Sequence, residues 1–116
     1  MHDADLTTVP DLSFRAALQR LDQANLLLKV ADEVDTDLEL TSLLFKHTDR
    51  AMLFKSVRGY ESRVVGNFLG CEENVLAIYE RDVASLRDFI GNGLTNPILP
   101  KHVDKGPVQA VFRNNP

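Results

Sequence analysis

Three largely apolar runs of strand length, separated by stretches whose apolar residues recur at helical spacing, constrain this chain more than any other feature. Leu26 to Val30, Ala51 to Lys55 and Ser62 to Val65 are each too short for a helix and suit strands between turn signals. Ahead of them, Leu12, Leu18 and Leu21, with Phe14 and Ala17, form one stripe of a helix that follows an ordered start at Asp11 and stops at Asn25. Arg15, Gln19 and Arg20 fall on its opposite face. Between the first two strands, Leu40, Leu43 and Leu44 mark a second helix. Thr36 and Glu39 have the spacing of a capping box at its start, Asp37 and Glu39 complement its dipole there, and Lys46 and His47 complement the other end. The segment Ser56 to Glu61, with Gly59 as the turn residue, joins the second and third strands as a hairpin. Val75, Leu76 and Tyr79 form the stripe of a helix over Glu72–Tyr79. Leu86, Phe89 and Ile90 do the same over Val83–Ile90, which Gly91-Asn92-Gly93 is expected to end. The pattern predicts an α/β (α+β) fold: a single small domain whose short mixed sheet, hairpin included, is packed by about four helices.

The two ends of the chain differ from this middle. Residues 1–10 are polar, close on Val9-Pro10 and read as a flexible N-terminal tail, leaving 11–95 as the ordered α/β domain. From Asn96 the prolines at 97, 100 and 107 exclude a regular helix, so 96–116 is expected to be a proline-rich extended arm, with Val108 to Phe112 as a last strand.

A net charge of -4 and the scatter of Arg58, Arg63 and Arg81 argue against a nucleic-acid partner, which normally requires a basic cluster. No apolar run approaches the roughly 20 residues that span a bilayer, and Met1 to Pro10 has acids where a secretory signal has cations. Together with the single Cys71, which has no partner for an internal disulfide, this predicts a cytoplasmic protein without a membrane role.

Few residues suggest chemistry. Asp35, Asp37 and Glu39 alternate like the opening of a calcium loop, but Leu40 stands where that loop needs glycine and Lys46 where it needs glutamate, so helix capping explains them better. Gly66-x-x-x-Gly70 could let a phosphate approach a helix start, yet it lacks the remaining residues of a dinucleotide or P-loop fingerprint and reads as a tight turn. Cys71 heads the helix after that turn with no histidine near it in sequence. His2, His47 and His102 are far apart, without zinc-ligand spacing. No nucleophile elbow, metalloprotease helix or acid/base pair emerges, so the residues alone supply no catalytic, cofactor-binding or metal-binding set.

The order of segments nevertheless resembles the N-terminal domain of UbiD-type decarboxylases. The resemblance rests on Asp11 to Leu18, Leu27 to Val30, Glu33-Val34-Asp35-Thr36-Asp37-Leu38-Glu39-Leu40, Ala51 to Tyr60 with its Val-x-Gly-Tyr turn, and Val64 to Gly70. Pro97-Ile98-Leu99-Pro100 and Gly106-Pro107-Val108-Gln109 resemble the proline-rich crossing that precedes that family's catalytic region. The match spans about residues 11–112. It implies a reversible decarboxylation of aromatic or α,β-unsaturated acids on prenylated FMN, with a divalent metal and potassium at the cofactor phosphate and a Glu-Arg-Glu set for proton transfer. It also implies that these groups lie beyond Pro116, so none is carried onto this chain. The expected role is a non-catalytic small subunit or N-terminal domain, inactive alone and packed on a UbiD-like catalytic subunit or domain in a hetero-oligomer. The alternatives are an independent ligand-binding or regulatory module using the Gly66–Gly70 turn and the hairpin face and, further off, a complete small enzyme using Cys71 or His102.

Overall fold

The structure, a computed structural model, describes residues 9–111. The N-terminal tail reading falls almost wholly outside them, as do Phe112 and His2. The described chain runs α1 (Phe14–Gln23), β1 (Leu27–Val30), α2 (Glu39–Lys46), β2 (Ala51–Phe54), β3 (Val64–Gly66), α3 (Glu72–Tyr79) and α4 (Val83–Thr95), then a single 3-10 turn at Pro107–Gln109. This is the expected α+β domain with a three-stranded mixed sheet in the order β1-β2-β3.

β2 is the middle strand, parallel to β1 and antiparallel to β3, and all four of its residues are buried. Its position explains why Ala51 to Phe54 is uninterrupted by polar residues: both faces of a central strand are covered. On one face Ala51 and Leu53 meet Ala17 and Leu21 of α1, Leu27 of β1 and Ile78 of α3. On the other, Met52 and Phe54 pack with Val34 and Val57, and α2 covers them with the half-buried Leu40, Leu43 and Leu44. Burying a side chain such as Phe54 contributes about 1.5–3 kcal/mol. Two clusters of this size are a modest core, with β2 common to both.

The hairpin forms as predicted. Tyr60 N–H donates to the Val57 carbonyl at 3.0 Å, and Gly59 takes the φ of 85° that this turn requires and that a side chain would resist.

Several expectations are corrected. α1 begins at Phe14, so Leu12 lies ahead of the helix rather than in its stripe, because the Ser13 hydroxyl caps it by accepting from Ala16 N–H and Asp11 in turn accepts from Ser13 N–H. Arg20 does not simply face water: its Nε donates to the Ile78 carbonyl at 2.9 Å, tying α1 to α3, and its Nη2 donates to the Asp11 carbonyl at 2.7 Å, holding the segment ahead of α1. The Thr36–Glu39 capping box is absent. The cap position is Leu38, because Asp35 accepts from Asp37 N–H and Glu39 N–H closes on the Asp37 carbonyl at 2.8 Å, so the chain enters the helix two residues after Thr36. On α3 the buried residues are Asn74 and Ile78, while the predicted stripe of Val75, Leu76 and Tyr79 is only half-buried.

α4 passes through Gly91 and Gly93 to Thr95. A Cβ at either glycine would meet nothing, so neither is there for a turn, and the helix ends instead where Asn96 N–H bonds the Asn92 carbonyl just before Pro97. The arm holds no strand among its described residues. Val108 and Gln109 lie in the 3-10 turn that Pro107 opens, closed by Gln109 Oε1 accepting from Gly106 N–H.

Candidate functional site

The acidic segment after β1 serves Arg58. Nε of Arg58 reaches Glu33 at 2.8 Å and Nη1 reaches Asp35 at 2.9 Å. The hydrogen bond to Glu33, followed by the charge of Asp35, holds the guanidinium pKa above its ordinary value. Both bonds are exposed, so they fix the hairpin turn against the β1–α2 loop more than they stabilise the fold. Asp37 and Glu39 make no ion pair among the described residues and stay in solvent. Between them Leu38 is 78% exposed, with φ 69° and ψ -34° at the centre of a three-residue turn that favours glycine.

Gly66 and Gly70 are explained by close packing. A Cβ on Gly66 would collide with the Leu44 side chain of α2, and one on Gly70 would lie 2.7 Å from the Thr48 carbonyl. α3 begins with Glu72 and Glu73, whose charges oppose a phosphate at that helix start. Cys71 Sγ donates to the Asp49 carbonyl at 3.4 Å. His47 ends α2, and its carbonyl accepts from Asn67; His102 is exposed in the arm. The structure therefore leaves Cys71, His47 and His102 separate, and no three His, Cys, Asp or Glu side chains gather for a metal among the described residues.

Sequence reasoning missed a polar bracket beneath this turn. Asn67, at φ 55°, donates from Nδ2 to the carbonyls of Leu44 and His47 at 2.9 Å each, and the fully buried Asn74 donates to the carbonyls of Asn67 and Phe68. The two asparagines lock the end of α2 to the start of α3. An asparagine next to the glycine that ends a strand was the available signal, because asparagine tolerates a positive φ.

Two surfaces remain. The first is the flank formed by α4 and the arm: no residue from 80 to 111 is buried, although Ile90, Leu94, Ile98, Leu99, Val108 and Val111 are between 54% and 94% exposed. α4 is held chiefly through Arg81, which stacks over the Phe89 ring at 4.4 Å and bonds Ser85, and through Tyr79 against Phe89. A shallow cleft of about 290 Å³ lies between Leu76 of α3 and Val83, Leu86 and Ile90 of α4.

The second surface is a groove of about 930 Å³ where α1 leaves one end of the sheet uncovered. Its floor includes Leu27, Leu53 and Val65, one from each strand, and Arg15, Lys29, Lys55 and Arg63 line it against only two acids, Asp22 and Glu61. Lys29 is paired with Asp22 at 3.0 Å; Arg15, Lys55 and Arg63 have no ion pair among the described residues. Cations scattered along the sequence are thus gathered on one face.

Fold and surfaces together define a small α+β domain with a closed sheet core and an open apolar flank. The chain belongs to the UbiD family: residues 18–91 match the family described as the 3-octaprenyl-4-hydroxybenzoate carboxy-lyase N-terminal domain. The match begins within α1 and ends within α4, so it takes in the whole sheet and leaves the arm outside. No curated protein matches the chain. No helix among the described residues is long and apolar enough to cross a membrane.

Proposed function

We propose that this chain is the non-catalytic N-terminal part, as domain or small subunit, of a cytoplasmic UbiD-type carboxy-lyase acting on aromatic or α,β-unsaturated carboxylic acids. It packs on the catalytic domain that binds prenylated FMN. The observation that carries this reading is the flank of α4 and the arm, where large apolar side chains stand in solvent over a continuous stretch of chain. Scattered exposed leucines need no explanation, but a run of apolar residues on elements with no fully buried residue marks a contact surface. The cofactor is assigned to the partner. Glu72 and Glu73 oppose a phosphate at α3, Gly66 and Gly70 are occupied by packing against α2 and its following turn, and no cluster among the described residues suits the divalent metal. The role of these residues is to hold the sheet core rigid so that α4 and the arm are presented to the catalytic domain.

Co-expression with a UbiD-like catalytic subunit tests the reading. The two chains are expected to co-elute, and replacing Ile98 and Leu99 by aspartate is expected to separate them. Separate elution of the unaltered chains removes the reading.

A further inference from the structure

We propose that the groove between α1 and the sheet binds a small phosphomonoester, its phosphoryl group held by Arg15, Lys55 and Arg63 and its organic part lying against Phe14, Leu18 and Val65. The inference rests on this groove alone and is independent of what covers α4 and the arm. The cations converge from three elements. Leu53 of β2 pairs with Val65 of β3, and side chains alternate along a strand. Two residues toward the hairpin, Lys55 and Arg63 therefore return to the face of Leu53 and Val65, side by side where the hairpin opens. Arg15 enters the same space from α1, on the helix face that also carries Leu18.

Charge identifies the ligand class. Like charges on neighbouring strands cost stability, and neither Lys55 nor Arg63 has an ion pair among the described residues to offset it. Lys29 and Asp22 neutralise each other at 3.0 Å. In what remains of the groove Arg15, Lys55 and Arg63 face one acid, Glu61, an excess of two positive charges within a chain of net charge -4. A phosphomonoester carries about -1.5 to -2 at neutral pH and offers three strong acceptor oxygens, whereas one carboxylate would leave the groove positive. The volume of about 930 Å³ is that of a small-molecule site. Leu27 and Leu53 belong to the core and only close the floor. The surface left for an organic part is Phe14, 56% exposed and braced by Phe68 at 5.1 Å between ring centroids, with the half-buried Leu18 and Val65.

Backbone amide NMR titrations of the full chain at low ionic strength test this, with inorganic phosphate, AMP, adenosine and vesicles containing phosphatidic acid as probes. AMP is expected to shift the amides of Arg15, Lys55 and Arg63 saturably, inorganic phosphate to shift the same amides with about tenfold weaker affinity, and adenosine to shift none. Lys55→Gln/Arg63→Gln is expected to weaken AMP binding by about tenfold or more and, because it relieves two neighbouring like charges, to keep or raise the thermal midpoint without ligand. Arg87→Gln, on α4 and away from this groove, is expected to change neither. A chain that millimolar AMP and phosphate leave unshifted overturns the proposal. So does equal weakening by Arg87→Gln, which marks diffuse attraction to any cation, and so does binding to the vesicles with none to AMP, which assigns the groove to a lipid headgroup. If the double variant does not fold, unchanged AMP binding by Arg15→Gln overturns it.

Discussion

The sheet core and the α4–arm flank are built from equally apolar sequence yet end in opposite states. From Phe14 to Tyr79 the apolar residues find one another across β2, and ten of them are buried outright. From Val83 to Val111 no comparable residue is fully buried, and Leu86 and Phe89 are only half-buried. Composition does not separate the two regions, since Leu86, Phe89, Ile90 and Leu94 are as apolar as anything in α1. Topology does: the strands give α1, α2 and α3 a surface to cover, and α4 packs mainly on α3. An apolar helix and arm left without a surface to cover are where the proposed contact with a catalytic domain falls.

The comparison can be broken most forcefully at its centre. Phe54→Ala empties a fully buried position at the middle of the sheet and is expected to cost about 3–5 kcal/mol, enough to unfold much of the chain in a urea melt. Arg20→Ala removes the bond that ties α1 to the Ile78 carbonyl of α3 and the one to the Asp11 carbonyl, leaving the partly buried Ile78 carbonyl without that donor, for an expected loss of about 1–3 kcal/mol by the same measurement. The aspartates introduced at Ile98 and Leu99, by contrast, are expected to move stability by no more than about 0.5 kcal/mol, because those side chains already face water. A stability loss there as large as that of Arg20→Ala would mean the flank has intramolecular partners.

The smallest effect concerns pH. Backbone and side-chain hydrogen bonds from Ser13, helped by the charge of Arg20, hold the Asp11 carboxyl below its ordinary pKa. A depressed carboxylate stabilises the fold above its unfolded pKa, and that contribution is lost as pH falls through the folded value. Asp11→Asn is therefore expected to flatten the acid limb of the stability curve slightly, lowering stability a little at neutral pH and leaving it unchanged at the acid end, as followed by thermal melts across pH.

The core was legible in the sequence because period and turn chemistry agreed there. β1, β2, the hairpin and Gly59 follow from short apolar runs between turn residues. The errors cluster where a local rule lost to tertiary contacts. Thr36 and Glu39 have capping spacing, but Asp35 was recruited by Arg58 and shifted the entry of α2. Gly91 and Gly93 look like a helix stop, yet with nothing packed against them the helix continued to Thr95, just before the proline whose sterics end it. Asn74 was unreadable as a core residue because its burial depends on carbonyls freed by the turn at Asn67. The groove was invisible for a simpler reason: Arg15, Lys29, Lys55 and Arg63 are 48 residues apart at their extremes and meet only when the three strands align.

The contrast between core and flank is tested most directly by amide hydrogen exchange on the chain alone and in the presence of a UbiD-like catalytic subunit. Alone, Leu21, Leu53 and Phe54 should exchange slowly while amides from Val83 to Val111 exchange fast; with the catalytic subunit, protection should appear in that flank and extend along it. Strong protection of the flank in the isolated chain, or none gained in the mixture, would contradict the claim that this surface exists to be covered by a partner.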